Sequence, residues 1–219
     1  MSKSSPVKKE PRERADAKPA THAANTAERS RPREIFGRDE WLGAARKALI
    51  AGGIDQVKID RLSRQVGVKR SSFYWHFSSR PRLLEALLDH WEATNTGPIL
   101  RAIDTAIAEG PGGMHRLARL WIDEREFLPA YDAAVREWAR KDAAVARRVH
   151  AIDDKRIAAM TRMMKSYGYE GDEALVRARI LYFHQVGYYA LDLRESKARR
   201  LHLEPLYVRA LLGEAKEKP

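Results

Sequence analysis

Apolar residues recur every three or four positions along most of this sequence, in blocks separated by glycine and proline. Trp41, Leu42, Ala45, Ala48 and Leu49 fall on one side of a helix, and Gly52-Gly53 stops it. A strand alternates with period two, so this 3.6-residue pattern excludes a sheet there. A second short helix is expected over 60–66, with Leu62 and Val66 one turn apart, until Gly67 breaks it. A third is expected over 70–77, burying Phe73 and Phe77. Pro81 suits the first turn of a fourth, capped by Ser78 or Ser79 and carried on by Leu83, Leu84, Leu87, Leu88 and Trp91. Beyond Gly97-Pro98, helices are expected near 99–108, 114–128, 131–141, 143–167, 172–193 and 203–212, with residues 110–113, Pro129 and 168–171 as punctuation. Nothing reads as a strand pair or an internal repeat. The fold class is all-α.

Composition narrows the function. The chain has 219 residues, 41 Lys+Arg against 30 Asp+Glu, and a formal charge of +11. Without cysteine it has no disulfides, no thiolate chemistry and no zinc finger. No apolar run approaches the ~20 residues of a membrane span, so a soluble, cytoplasmic protein is expected, with no membrane partner. A basic surplus suits phosphate backbones as well as plain solubility. Residues 1–34 lack the apolar side chains to offset ordering entropy and read as a disordered basic arm, whose nine lysines and arginines could touch DNA.

Three short helices within about 40 residues, with a tight turn at Gly67-Val68, make a helix-turn-helix. A helix fits the B-DNA major groove, and its N-terminal residues meet the base edges. The outward face of the third helix carries the side chains this needs: Lys69, Arg70, Ser71, Ser72, Tyr74, Trp75 and His76 surround the buried Phe73 and Phe77.

These residues resemble the tetracycline-repressor (TetR) family of bacterial transcription regulators. The resemblance is carried by Gly53-Ile54, Leu62, Val66-Gly67-Val68, Phe73-Tyr74-Trp75-His76-Phe77, Arg80 and Leu83-Leu84, and covers about 35–95, with the reading motif at about 58–77. It implies that Tyr74 and His76 meet phosphates and that Trp75 packs on the sugar-phosphate backbone. It also implies that Lys69, Arg70, Ser71 and Ser72 reach base edges or neighbouring phosphates, and that Arg80 clamps a phosphate. Lys58 replaces the hydroxyl residue usual before the second helix and could itself pair with phosphate, whereas Asp60 repels DNA.

The segment 133–187 is similar to the C-terminal domain of one branch of the same family, through Arg136-Glu137-Trp138-Ala139, Val145, Val149, Asp153, Arg156, Ile157, Gly168 and Ala178-Arg179. That implies a helical effector-binding and dimerisation domain over 96–215, followed by a tail at 216–219, in which the last two long helices pair with a second subunit. Leu175, Leu181, Tyr182, Val186, Tyr189, Leu203, Leu206 and Leu211 give those helices broad apolar faces. Candidate lining for an effector pocket is Trp121, Phe127, Tyr131, Trp138, Met160, Met164, Tyr182 and Phe183, and Asp123, Glu124 and Glu126 could greet a cationic ligand. His184 reads as a satisfied core histidine.

The expected function is a homodimeric, sequence-specific regulator of a double-stranded DNA operator with inverted-repeat half-sites, most simply a repressor released by a small-molecule effector. No catalytic set, metal or cofactor is expected. Two alternatives stand beside it: an interaction protein that has lost DNA reading, or an enzyme using His150, Asp153 and Asp154 at i, i+3 and i+4.

Overall fold

The first helix, α1 (Arg38–Gly52), begins where the Glu40 carboxylate accepts the Gly37 backbone N–H at 2.8 Å. The protein is seen in a computed structural model that describes residues 37–213. The arm at 1–34 and the tail at 216–219 lie outside the described residues. After α1, Gly53 takes φ 76° and leads into a 3₁₀ turn at Ile54–Gln56. Next come α2 (Ile59–Val66), α3 (Arg70–Phe73) and α4 (Arg80–Trp91). Ser79 caps α4, its hydroxyl accepting the Arg82 N–H at 3.4 Å, and Pro81 sits in the first turn.

The chain then passes through one π turn, Glu92–Thr96, straight into α5 (Gly97–Glu109). Gly97-Pro98 therefore does not break the helix, because Pro98 falls in a first turn where no N–H is required. The remaining elements are α6 (Met114–Asp123), α7 (Pro129–Ala139), α8 (Ala143–Ser166), α9 (Gly171–Ala190) and α10 (Lys197–Leu212). No strand occurs among the described residues.

Three boundaries differ from the sequence expectation by four residues or more. The third helix ends at Phe73, and the chain continues to Phe77 through tight turns such as His76 N–H to Phe73 O at 3.0 Å. The sixth stops at Asp123 because Glu124 adopts φ 51°. The last helix starts six residues early, at Lys197, where the Ser196 hydroxyl accepts the Arg199 N–H at 3.2 Å. Its first turn is polar, so an apolar stripe could not mark it.

The interior forms two apolar clusters. One joins Trp41, Leu49, Leu62, Phe73 and Leu87 of the N-terminal helices to Tyr131, Val135 and Trp138 of α7 and to Val145, Val149 and Ile152 of α8. The other gathers Ile99 and Ile103 of α5, Leu117 and Trp121 of α6, Met160 and Met164 of α8, and Ala178 and Tyr182 of α9. Gly113 permits the close crossing of α5 and α6, where a Cβ would come within 2.6 Å of the Ala106 Cα.

A buried polar network ties the N-terminal helices to the rest. Arg156, 1% exposed, donates to the Asp132 carboxylate at 3.2 Å and to the Thr96 hydroxyl at 3.0 Å. Asp132 also accepts from the Trp91 indole at 3.0 Å and from Arg136 at 2.8 Å. Arg136 forks onto Asp153 at 3.0 and 2.7 Å, and the Tyr182 hydroxyl donates to the same carboxylate at 2.5 Å. Burial pushes the Asp132 carboxyl upward, but Arg156 and Arg136 outweigh it and hold the group below the usual carboxylate range. One network thus links α4, α7, α8 and α9 across the π turn.

Candidate nucleic-acid interface

Gly67, at φ 70°, lets α2 end in a left-handed turn, with the Val68 N–H donating to Ser63 O at 3.0 Å. That reversal carries the chain directly into α3. Phe73 is fully buried, edge-on to Trp41 at 5.3 Å and stacked on Phe77 at 5.6 Å. With Phe73 and Phe77 anchored, the intervening side chains are forced outward. Trp75 is 87% exposed and Tyr74 49%, while Lys58, Lys69, Arg70 and Ser71 are also exposed and Ser72 and His76 half-buried. The structure therefore brings Lys69, Arg70, Ser71, Tyr74 and Trp75 onto one projecting corner. A fully exposed indole costs hydrophobic burial, which makes it informative where a solvated lysine would not be.

Two cations are already engaged. Arg70 pairs with Asp60 at 3.1 Å and donates to the Tyr74 hydroxyl at 3.3 Å, which fixes its direction across the α2–α3 turn. Nothing in sequence spacing announces this Asp60 contact. Arg80 turns inward: its Nε donates to Val57 O at 2.7 Å and one terminal nitrogen to Ile54 O at 3.3 Å. The guanidinium thus satisfies the carbonyls of the turn ahead of α2. Lys58 occupies the N-cap of α2 and contributes no side-chain cap, as the missing hydroxyl implies.

The candidate effector residues do not converge on one cavity. Tyr131 and Trp138 belong to the cluster shared with the N-terminal helices, and the Tyr131 hydroxyl donates to Leu87 O at 2.6 Å. Met160 and Met164 are fully buried in the second cluster. Phe183 is 58% exposed on the outer side of α9. Phe127 and Tyr182 line a pocket of about 260 Å³ between α7 and α9. Trp121 lines a larger groove of about 560 Å³ between α6, α9 and α10. Sequence reasoning missed the groove's other members, Gln185 and Tyr207 among them, because three helices distant in sequence compose it.

His184 is corrected: it is an exposed residue of that groove with its ring 4.5 Å from Tyr207, not a core histidine. The acidic trio is already partnered, Asp123 by Lys197, Glu124 by Arg200 and Glu126 by Arg101. In the His150, Asp153 and Asp154 set, Asp153 turns inward to Arg136 and Tyr182 while the other two face solvent. Among the described residues no group of three or more histidines and carboxylates is placed to hold a metal. No described helix is long and apolar enough to cross a membrane.

Residues 42–87 match the family described as bacterial regulatory proteins, tetR family. Over 51 residues, 23% of this chain, the sequence is 33% identical to the HTH-type transcriptional regulator SrpR of Pseudomonas putida, of which the match covers 24%. It is 27% identical over 100 residues, 46% of this chain, to the HTH-type transcriptional regulator TtgR, also of Pseudomonas putida. The match spans 47% of that relative. The aligned part is thus less than half the length of these curated relatives. In structure, the chain resembles a Mesorhizobium loti protein assigned to the tetR family of transcriptional regulators, with a TM-score of 0.63 at 20% identity, over 83% of this chain and 98% of that one. Residues 42–87 thus carry a helix-turn-helix that matches the tetR family of bacterial regulatory proteins, within an all-helical fold shared with the Mesorhizobium loti protein.

Proposed function

We propose that the chain is a sequence-specific double-stranded DNA-binding transcriptional regulator, acting as a homodimeric repressor that a small molecule releases from its operator. The observation that carries this reading is the projecting corner of α3: Trp75, Tyr74, Lys69 and Arg70 are held outward by a fully buried Phe73. Such a rigid, aromatic and cationic edge suits phosphate and sugar contact, with Arg70 and the serines positioned for base edges. The tetR-family match at 42–87 spans this segment, and the relatives SrpR and TtgR are HTH-type transcriptional regulators, which supports the same reading.

Dimerisation through the last helices is supported by Val176, Ile180 and Phe183 on α9 and Leu206 and Tyr207 on α10, all about half exposed. A two-fold pair presents two reading edges and hence an inverted-repeat operator. The reading module corresponds to 35–95 and the regulatory part to 96–215. The protein works in the bacterial cytoplasm, on the nucleoid when bound, and carries out no chemistry of its own.

The test is retention from a random duplex library by the purified full chain at near-physiological salt, followed by sequencing. Convergence on one inverted repeat supports the proposal. A flat sequence profile overturns it and leaves only charge-driven binding.

A further inference from the structure

Asp60 is the only acidic residue between Asp55 and Glu85, a stretch that carries seven lysines and arginines. On an edge that meets phosphate, a carboxylate repels the partner and lowers affinity. Its placement is specific all the same. Arg64 lies one turn on along the same helix, within the usual reach of an i, i+4 pair, yet its Nε donates to the Asp60 backbone O at 3.1 Å. The carboxylate instead crosses the turn to Arg70, the first residue of α3, with one terminal nitrogen 3.1 Å from Oδ1 and 3.4 Å from Oδ2. The other terminal nitrogen donates to the Tyr74 hydroxyl at 3.3 Å, and the Tyr74 ring stands edge-on to the buried Phe73 at 5.3 Å. The guanidinium is thus held from α2 by one nitrogen and from the turn after α3 by the other.

Both members of the ion pair are more than half exposed, and such a pair adds little to stability, so folding does not account for it. What the pair changes is Arg70 itself: its rotamers are narrowed before DNA arrives, and its charge is cancelled. Two of the five guanidinium donors are engaged, which leaves one N–H on each terminal nitrogen and the Nε–H. We infer that Asp60 is a positioning residue for DNA reading, holding Arg70 at the start of α3 so that the guanidinium reads a guanine in the major groove rather than clamping a phosphate. The inference deepens the regulator reading, on which it rests, by dividing the work between adjacent cations. Lys69, exposed and with no carboxylate paired to it among the described residues, supplies charge-driven affinity. Arg70 supplies sequence at one base pair of each half-site. The Tyr74 hydroxyl accepts from Arg70 and keeps its own O–H for a phosphate.

The test starts from the inverted repeat that the parent selects from the random library. Duplexes altered at one base pair of the half-site at a time are titrated at fixed salt with the full chain, Asp60→Asn, Arg70→Ala and the double variant, each checked for parent-like helicity. In the parent, one G·C pair should be preferred over every alternative by about tenfold or more, and Arg70→Ala should erase that preference. Asp60→Asn frees a cation, so it should bind more tightly overall with a steeper salt slope, yet cut the preference at that same pair to about threefold or less. In the Arg70→Ala background, Asp60→Asn should leave every base preference unchanged. An Asp60→Asn protein that binds more tightly but keeps the parent's full preference would overturn the inference and leave Asp60 a plain repulsive charge. So would an Arg70→Ala protein whose salt slope changes while every base preference stays, or an Asp60→Asn effect on preference that persists without Arg70. A parent that selects no inverted repeat removes the regulator reading and this inference with it, whereas a selective parent with an equally selective Asp60→Asn removes the inference alone.

Discussion

Lys69 and Arg80 flank the reading edge with the same charge and opposite employment. Lys69 is exposed, and among the described residues no carboxylate is paired with it, so its charge is free for a phosphate. Replacing it with alanine should leave stability within about 0.5 kcal/mol and make the slope of log affinity against log salt shallower by about one. Arg80 instead holds Val57 O and Ile54 O. Arg80→Ala should cost roughly 1–3 kcal/mol in urea unfolding by stranding two carbonyls, with the salt slope of the folded fraction nearly unchanged. An Arg80 variant that melts normally but binds with a shallower slope would return this residue to the phosphate-clamping role that family resemblance implies. At this scale the sequence was informative about outward residues: Trp75 and Tyr74 stand between two phenylalanines spaced one turn apart, so their exposure was legible. The partners of Arg70 and Arg80 were not, because those contacts span 10 and 23 residues and depend on how the helices cross.

Among the elements, α4 spans the two parts of the molecule, since it begins just after the α3 turn and ends in the π turn held by α8. Glu92 accepts from Arg148 and Lys155, and Arg156 holds Thr96. Substituting Arg156 with leucine would leave Asp132 charged and buried without its main partner, a loss of about 3–5 kcal/mol readable as a lower urea midpoint. A smaller loss would mean that Arg136 and Trp91 suffice to hold Asp132. His90 on the same helix titrates in the opposite sense to a salt-bridged histidine. Burial first, and then Arg46, lowers its pKa from the ordinary value. Its contribution to stability is therefore complete above about pH 6.5 and declines as pH falls from there towards the folded-state value, because the unfolded chain then binds more protons. Urea midpoints measured from pH 7.5 to 5 should fall for the parent, and less steeply for His90→Phe. Identical pH profiles would show that His90 does not contribute. Helix identity was largely legible from periodicity, whereas α10's start and the π turn were not: one has a polar first turn, and the other is an irregularity that tertiary contacts hold in place.

At the scale of the whole molecule, the N-terminal helices do not own their core. Trp41, Phe73 and Leu87 share a cluster with Tyr131, Trp138 and Val149, so the N-terminal helices pack directly on α7 and α8. The proposed homodimer would in addition fix the distance between two reading edges. The exposed residues Val176, Ile180 and Phe183 recur at four- and three-residue spacing along α9 and form a stripe that water covers in the single chain. Two-fold symmetry uses each such residue twice. Charging the centre of the stripe with Phe183→Glu should therefore remove roughly 3–6 kcal/mol of apolar burial and raise the dimer dissociation constant by two to four orders of magnitude. Sedimentation would report a monomer at micromolar concentration, and affinity for an inverted repeat would collapse while the helix content stayed unchanged. Lys69→Glu provides the opposite pattern, a dimer that no longer retains DNA. If Phe183→Glu sediments as the parent does and still selects the inverted repeat, the pairing face lies elsewhere, and the exposed stripe on α9 must serve another partner.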